Sequence, residues 1–184
     1  MQDLSSKELL ILMKKGYIQV YTGDGKGKTT AAFGLALRAA GAGLRVFIGQ
    51  FLKNCEYSEL RSIKKLGDNV VLRQFGRDCF ICKEATNEDI AAAREGLEYI
   101  RKIINERKFD VVILDEANTA LHFNLFDVNE LLKILKKRPQ HQEIILTGRG
   151  APIELIEIAD LVTEMKEVKH YYAKGVQARE GIEK

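Results

Sequence analysis

Nine consecutive residues, Thr22-Gly23-Asp24-Gly25-Lys26-Gly27-Lys28-Thr29-Thr30, combine three glycines with two lysines and three threonines. Such a stretch cradles phosphate. Glycines let the backbone turn its N–H groups inward, and a helix starting at its end adds positive dipole charge. In this reading Gly23, Asp24, Gly25, Lys26, Gly27, Lys28, Thr29 and Thr30 bind a nucleotide. Lys28 neutralises phosphate charge, and the Thr29 hydroxyl sits on Mg²⁺. The usual spacing G-x-x-x-x-G-K-[ST] needs a glycine five positions before Gly27. Here that position is Thr22, with Gly23 one later, so the loop is one residue short.

A second group is Asp115-Glu116, which ends the apolar run Val111–Leu114 (VVIL). Carboxylates at the C-terminal end of a buried strand lie where ligands bind in parallel sheets, and they suit Mg²⁺ as hard oxygen donors. A third is Thr147-Gly148-Arg149-Gly150 after the strand EIIL, where Arg149 can present a bidentate fork to phosphate oxygens. Lys28, Glu116 and Arg149 are therefore the candidate catalytic residues, and Thr29, Glu116 and Asp115 the candidate Mg²⁺ site. The structural alternatives are a Gly-rich turn, a strand ending in solvated acids and a tight turn with a solvated arginine. A strand before the loop and a helix after it favour the nucleotide reading.

Those residues need elements to hold them. Tyr17–Tyr21, Arg45–Phe51, Val70–Phe75, Val111–Leu114 and Glu143–Leu146 are short β-branched or aromatic runs and read as strands. Helical spacing appears over Thr30–Ala40, stopped by Gly41-Ala42-Gly43, and over Asn87–Arg107 behind the capping signal Thr86-x-x-Asp89. It recurs over Asp127–Lys137, and from Pro152, placed in a first turn, through Ala159. Alternating strands and helices imply right-handed crossovers, hence an α/β three-layer sandwich with a mostly parallel sheet. Ser5–Lys15 reads as a short amphipathic helical arm outside that unit, and Val168–Lys184 as irregular. The expected organisation is one domain over residues 1–184, with 1–15 as the arm.

Composition narrows the class. Lys and Arg total 29 against 26 Asp and Glu, a net charge of +3, too small an excess to argue for nucleic acid. A membrane span needs roughly 20 apolar residues, and no stretch between charged residues here exceeds ten positions. The N-terminal MQDLSSKELLILMKKGY lacks a signal-peptide pattern, and three cysteines make no disulfide framework, so a cytoplasmic location is expected. Cys79-x-x-Cys82 has zinc or redox spacing without a second pair, and reads as ordinary pocket or packing cysteine.

The segments TGDGKGKTTAAFG (Thr22–Gly34), QFLK (Gln50–Lys53), VVILDE (Val111–Glu116), RPQHQEIILTGRG (Arg138–Gly150) and VKHYYAKGVQAREGIEK together resemble the P-loop-type ATP:corrinoid adenosyltransferases, the cob(I)yrinic acid a,c-diamide adenosyltransferase family. The likeness runs from Tyr17 to the C-terminus. It implies a P-loop fold of RecA-like type and a reaction in which Co(I) of a corrinoid attacks the 5′ carbon of ATP and displaces triphosphate, in adenosylcobalamin biosynthesis or salvage. It further implies Thr29 and Glu116 as Mg²⁺ contacts with Asp115 in support, and ATP lying reversed in the shortened loop. A homodimer, a reducing partner such as a flavoprotein, and an N-terminal segment able to fold over the corrinoid are also implied.

One departure stands out. Family members carry Phe-x-Trp after the third strand, near the cobalt. Here Phe80 matches the first aromatic, but Cys82 stands for the second, and the chain has no Trp. Phe80 is thus the candidate corrinoid contact. Readings from other classes are a RecA-like switch or motor ATPase hydrolysing ATP to ADP, and a nucleoside kinase.

Overall fold

Side-chain alternation along the strands decides the architecture. In the computed structural model, which describes residues 15–55, 57–77 and 85–183, β4 (Val111–Asp115) is buried along its whole length. Val112 and Leu114 join one apolar cluster, while Val111 and Ile113 join another. The same split separates Phe47 and Phe51 from Val46 and Ile48 in β2 (Val46–Phe51), and Ile144 and Leu146 from Ile145 in β5 (Glu143–Thr147). A strand whose two sides both carry apolar residues must be covered on both faces, and helices do this here.

The sheet has six strands in the order β3-β2-β4-β5-β1-β6, with β1 at Ile18–Thr22, β3 at Val70–Phe75 and β6 at Leu161–Glu164. Every pairing is parallel. The expected three-layer P-loop arrangement is therefore what the chain adopts.

One face packs on α1 (Lys28–Gly41) through Ala32, Ala36 and Ala39. Their spacing puts three small side chains on one stripe, so the helix can sit close to the strands. Ile63 of α2 (Ser58–Ile63) joins this layer. The other face is covered by α3 (Asn87–Glu106), α4 (Ala117–His122), α5 (Val128–Lys136) and α6 (Ile153–Ile158). Leu97, Ile100 and Ile104 supply the buried stripe of α3, and Leu131 and Leu135 that of α5. Helix α3 starts with the expected capping box. Thr86 accepts from the Asp89 amide at 3.2 Å, and Asp89 accepts from the Thr86 amide at 2.9 Å. Such a cap contributes about 1 kcal/mol.

The predicted strands and long helices all form, with ends displaced by one or two residues. Pro152 differs in kind: its extended ψ of 153° makes it the residue before α6, not part of the first turn. Its carbonyl still accepts the first helical bonds, from Leu155 and Ile156. Strand β6 is exposed along its length, and helices α2 and α4 span less than two turns without a marker such as the Pro152 that precedes α6, so these three were not read from sequence. The tail is mostly irregular, as expected, apart from a 3₁₀ turn at Tyr171–Lys174. The helical arm predicted over Ser5–Lys15 lies outside the described residues except for Lys15. Among the described residues no helix is long and apolar enough to cross a membrane.

Because all strands run the same way, their C-terminal ends share one edge. The residues following β1, β2, β4, β5 and β6 therefore line up along that edge.

Candidate nucleotide-binding site

The loop between β1 and α1 opens this edge. Lys28 is buried, with its ammonium donating to the carbonyls of Gly23 at 2.6 Å and Gly25 at 2.8 Å. The side chain thus curls back over the loop from the first turn of α1. Burial pushes its pKa below the usual lysine value, opposed by the Glu116 carboxylate; Arg149, Asp24 and Asp115 also act on its charge. Charged groups from three separate strand ends thus act on the charge of one ammonium.

Asp115 sits beneath them, fully buried. Its Oδ1 accepts from the Thr29 hydroxyl at 2.8 Å and the Thr147 hydroxyl at 2.7 Å. Its Oδ2 accepts from the Gln50 amide and the Lys53 ammonium, both at 3.0 Å. Burial alone would hinder ionisation. The Lys53 charge, together with the Thr147 and Thr29 hydroxyls, outweighs it and holds the carboxyl below the ordinary Asp range. Lys53 is held in turn: burial disfavours its charge, but Asp115 and then Glu116 keep its pKa above the ordinary value. A carboxylate has about four acceptor positions, so four donors leave Asp115 little capacity for anything else.

Glu116 is the next residue and differs sharply. Its backbone is left-handed, φ 61° and ψ 16°, and its amide donates to Thr147 Oγ1 at 3.0 Å. Its carboxylate accepts from the Thr119 hydroxyl at 2.6 Å. Leu52, just past β2, is left-handed too, with φ 60°. Both strained residues flank Asp115 at adjacent strand ends, and such strain concentrates where a site must be shaped.

Arg149 reaches over the loop from the end of β5. Its amide donates to Thr119 Oγ1 at 3.0 Å, and its Nε lies 3.9 Å from Asp24 Oδ1, with both side chains exposed. Strand β5 lies between β1 and β4, and this places Thr147 and Arg149 between the loop and the acidic strand end.

The structure therefore brings together Asp24, Lys28, Thr29, Asp115, Glu116 and Arg149. Lys26 points elsewhere: its ammonium donates to Tyr171, Ile182 and Glu183 of the tail. Thr30 is exposed on α1. Phe80, Cys79 and Cys82 lie outside the described residues, although Gly76, which leads toward them, is packed against Lys53. A Cβ at Gly76 would lie 2.4 Å from the Lys53 amide nitrogen.

Thr119 was not singled out from the sequence, and Gln50, Lys53 and Thr147 entered there only as members of motifs, with no role of their own. The available signal was polarity where burial was expected, as at Gln50 inside the apolar run VFIGQF and Thr147 ending EIIL.

The donor set fits Mg²⁺. The Thr29 oxygen spends its proton on Asp115 and keeps lone pairs, and Glu116 offers a second hard oxygen ligand. Among the described residues no group of three His, Cys, Asp or Glu gathers. A cation here would rely on water and phosphate oxygens for the rest, which is how Mg²⁺ is usually held.

A family model described as ATP:corrinoid adenosyltransferase BtuR/CobO/CobP matches residues 14–183. The chain is 36% identical over 173 residues to a corrinoid adenosyltransferase of Sinorhizobium sp, covering 92% of this chain and 81% of that protein. It is 37% identical over 171 residues to a corrinoid adenosyltransferase of Escherichia coli K12, covering 92% and 86%. Among solved structures, the flagellar accessory protein FlaH of Methanocaldococcus jannaschii superposes with a TM-score of 0.57 at 16% identity, covering 88% of this chain and 78% of that one. That likeness concerns the fold alone.

Proposed function

Since the chain belongs to the ATP:corrinoid adenosyltransferase family BtuR/CobO/CobP, and with it transfers the adenosyl group of ATP to a corrinoid, we propose that the transfer takes place at the strand-end site formed by Lys28, Thr29, Asp115, Glu116 and Arg149. The observation that carries this reading is geometric: Lys28 folds over the loop onto the carbonyls of Gly23 and Gly25, and the next residue, Thr29, donates to the buried Asp115 at the end of β4.

The corrinoid substrate brings the nucleophile. A Co(I) electron pair forms a bond to the 5′ carbon while the C5′–O bond breaks, and the triphosphate leaves with the electron pair of the broken C5′–O bond. Cobalt is formally oxidised to Co(III), and no protein group needs to form a covalent bond. The protein's part is to stabilise charge on the leaving group and to align carbon with cobalt. Lys28 supplies a buried cation at the loop, and Arg149 a second one from above. Thr29 and Glu116 would hold Mg²⁺, which neutralises triphosphate charge when bound. Asp115, with both oxygens engaged, supports Thr29 and does not ligate directly.

Phe80 is proposed to face the corrinoid. Its supporting observation is that the segment leading to it begins at Gly76, packed on Lys53 beside Asp115. Reaching Co(I) requires an electron donor, so a reducing partner such as a flavoprotein belongs to the reading. A homodimer, adenosylcobalamin biosynthesis or salvage, and an N-terminal arm over the corrinoid rest on the family resemblance alone.

Phosphorus NMR of a reaction with reduced corrinoid tests the assignment. Inorganic triphosphate and adenosylated corrinoid should form in equal amounts, with little ADP. ADP and orthophosphate as main products without corrinoid would instead support a switch or motor ATPase, which cleaves a phosphorus–oxygen bond.

A further inference from the structure

The C-terminal tail closes on the phosphate loop at two places. Past β6, the Met165 carbonyl accepts from the Gly25 amide at 2.6 Å, and the Met165 amide donates to the Thr22 carbonyl at 2.8 Å. The approach is so close that a Cβ at Gly25 would lie 2.7 Å from the Met165 oxygen, and one at Gly23 would lie 2.5 Å from it. The short spacing of loop glycines thus serves this packing as well as phosphate.

Farther on, the tail returns to Lys26. An ammonium has three N–H donors, and all three are used by the tail: Tyr171 Oη at 3.2 Å, the Ile182 carbonyl at 3.0 Å and Glu183 Oε1 at 2.7 Å. Glu183 is the hub. It also accepts from the Tyr171 hydroxyl and from Arg179 through its amide at 2.8 Å, Nε at 3.2 Å and Nη2 at 3.1 Å. The Arg179 guanidinium lies 5.1 Å from the centre of the Tyr171 ring. A further pair, Arg61 with Glu180 at 2.6 Å, ties the tail to α2. Between tail and loop lies a cavity of about 340 Å³ lined by Gly25, Lys26 and residues 166–171.

We propose that Glu183 is a positioning residue for ATP binding: by holding Lys26 from outside the loop, it clamps the tail onto the phosphate loop and fixes the loop's shape. This rests on the reading of that loop as the ATP site. The arrangement accounts for two otherwise unrelated sequence features, a lysine in the loop that faces away from the phosphate cradle and a tail that matches the family without chemistry of its own. The Arg179 guanidinium, then Lys26 and Tyr171, hold the Glu183 carboxyl well below its usual pKa, so the clamp stays charged at neutral pH.

Calorimetric titration with Mg-ATP in the absence of corrinoid tests this, because it reads the loop without the transfer reaction. Glu183→Ala should weaken ATP binding about fivefold or more. Its kcat for adenosyl transfer at saturating ATP should stay within about twofold of the parent, which separates positioning from chemistry. Lys26→Met combined with Glu183→Ala should bind no worse than Lys26→Met alone, as expected of residues acting through one contact. Tyr171→Phe, which removes a single hydroxyl, should give a smaller loss in the same direction. Unchanged affinity in folded Glu183→Ala, or losses that multiply in the double variant, would overturn the proposal. If the unaltered protein binds ATP but forms no adenosylated corrinoid, the functional reading fails while the clamp remains testable.

Discussion

The Thr29 hydroxyl donates to Asp115 Oδ1 across 2.8 Å, joining the first turn of α1 to the end of β4. Because the hydroxyl spends its proton on the aspartate, its lone pairs stay available for a cation. Thr29→Ala should therefore shift the Mg²⁺ dependence of transfer to higher concentration, whereas Thr29→Ser should stay near the parent. Loss of one donor to a buried carboxylate should also lower stability by about 1–3 kcal/mol, measured by urea unfolding.

Lys28 already gives up solvent to two loop carbonyls, so phosphate binding exchanges those partners for charged oxygens. Lys28→Ala should remove a charge-assisted contact worth roughly 1.5–3 kcal/mol in ATP binding. Turnover should fall by more, because charge on the leaving triphosphate grows toward the transition state. Unchanged turnover in the folded variant would defeat the assignment.

Lys53 and Asp115 form a buried pair at 3.0 Å. Lys53→Met strands a carboxylate away from water and should cost about 3–5 kcal/mol. Adding Asp115→Asn should recover part of that loss, since removing both charges avoids an unpaired one. Both effects are read from denaturation midpoints; a double variant less stable than Lys53→Met would contradict this pairing.

The α3 cap makes a prediction with a definite pH sign. Hydrogen bonds from the Thr86 side chain and then its amide hold Asp89 below the ordinary Asp pKa. A carboxyl with a lowered folded pKa contributes stability that is present above about pH 4, the unfolded value, and is lost as pH falls through the folded one. Asp89→Asn should thus be destabilising at neutral pH and converge on the parent in acid. Thr86→Ala should cost about 1 kcal/mol. Thermal unfolding across this range checks both, and a gap that widens in acid would show that the sign is wrong.

Much of the site was legible because its chemistry is local. Loop, following helix and preceding strand are consecutive from Ile18 to Gly41, so residue type and spacing alone indicate a phosphate cradle. Asp115-Glu116 was legible for a similar reason, since four apolar residues in a row mark a buried strand and the acids mark its end. Strand β6, exposed along its length, and the six-residue helices α2 and α4, with no proline or capping signal in front, carry no such mark.

By itself, then, the sequence determined the alternation of strands and helices and the family, and it singled out Lys28, Thr29 and the acidic pair as candidates for the nucleotide site. Strand order was decided only by the tertiary structure. Hydrophobic pattern shows that a strand is buried, not which strand lies beside it. Inserting β5 between β1 and β4 brings Thr147 to Asp115, separated by 32 residues, and placing β2 on the other side of β4 brings Gln50 and Lys53 to the same carboxylate. The tail's role was hidden for the same reason. Lys26 and Glu183 are 157 positions apart, and a polar segment carries no periodicity to say where it docks; only the ion pair formed after the sheet closes assigns it to the loop.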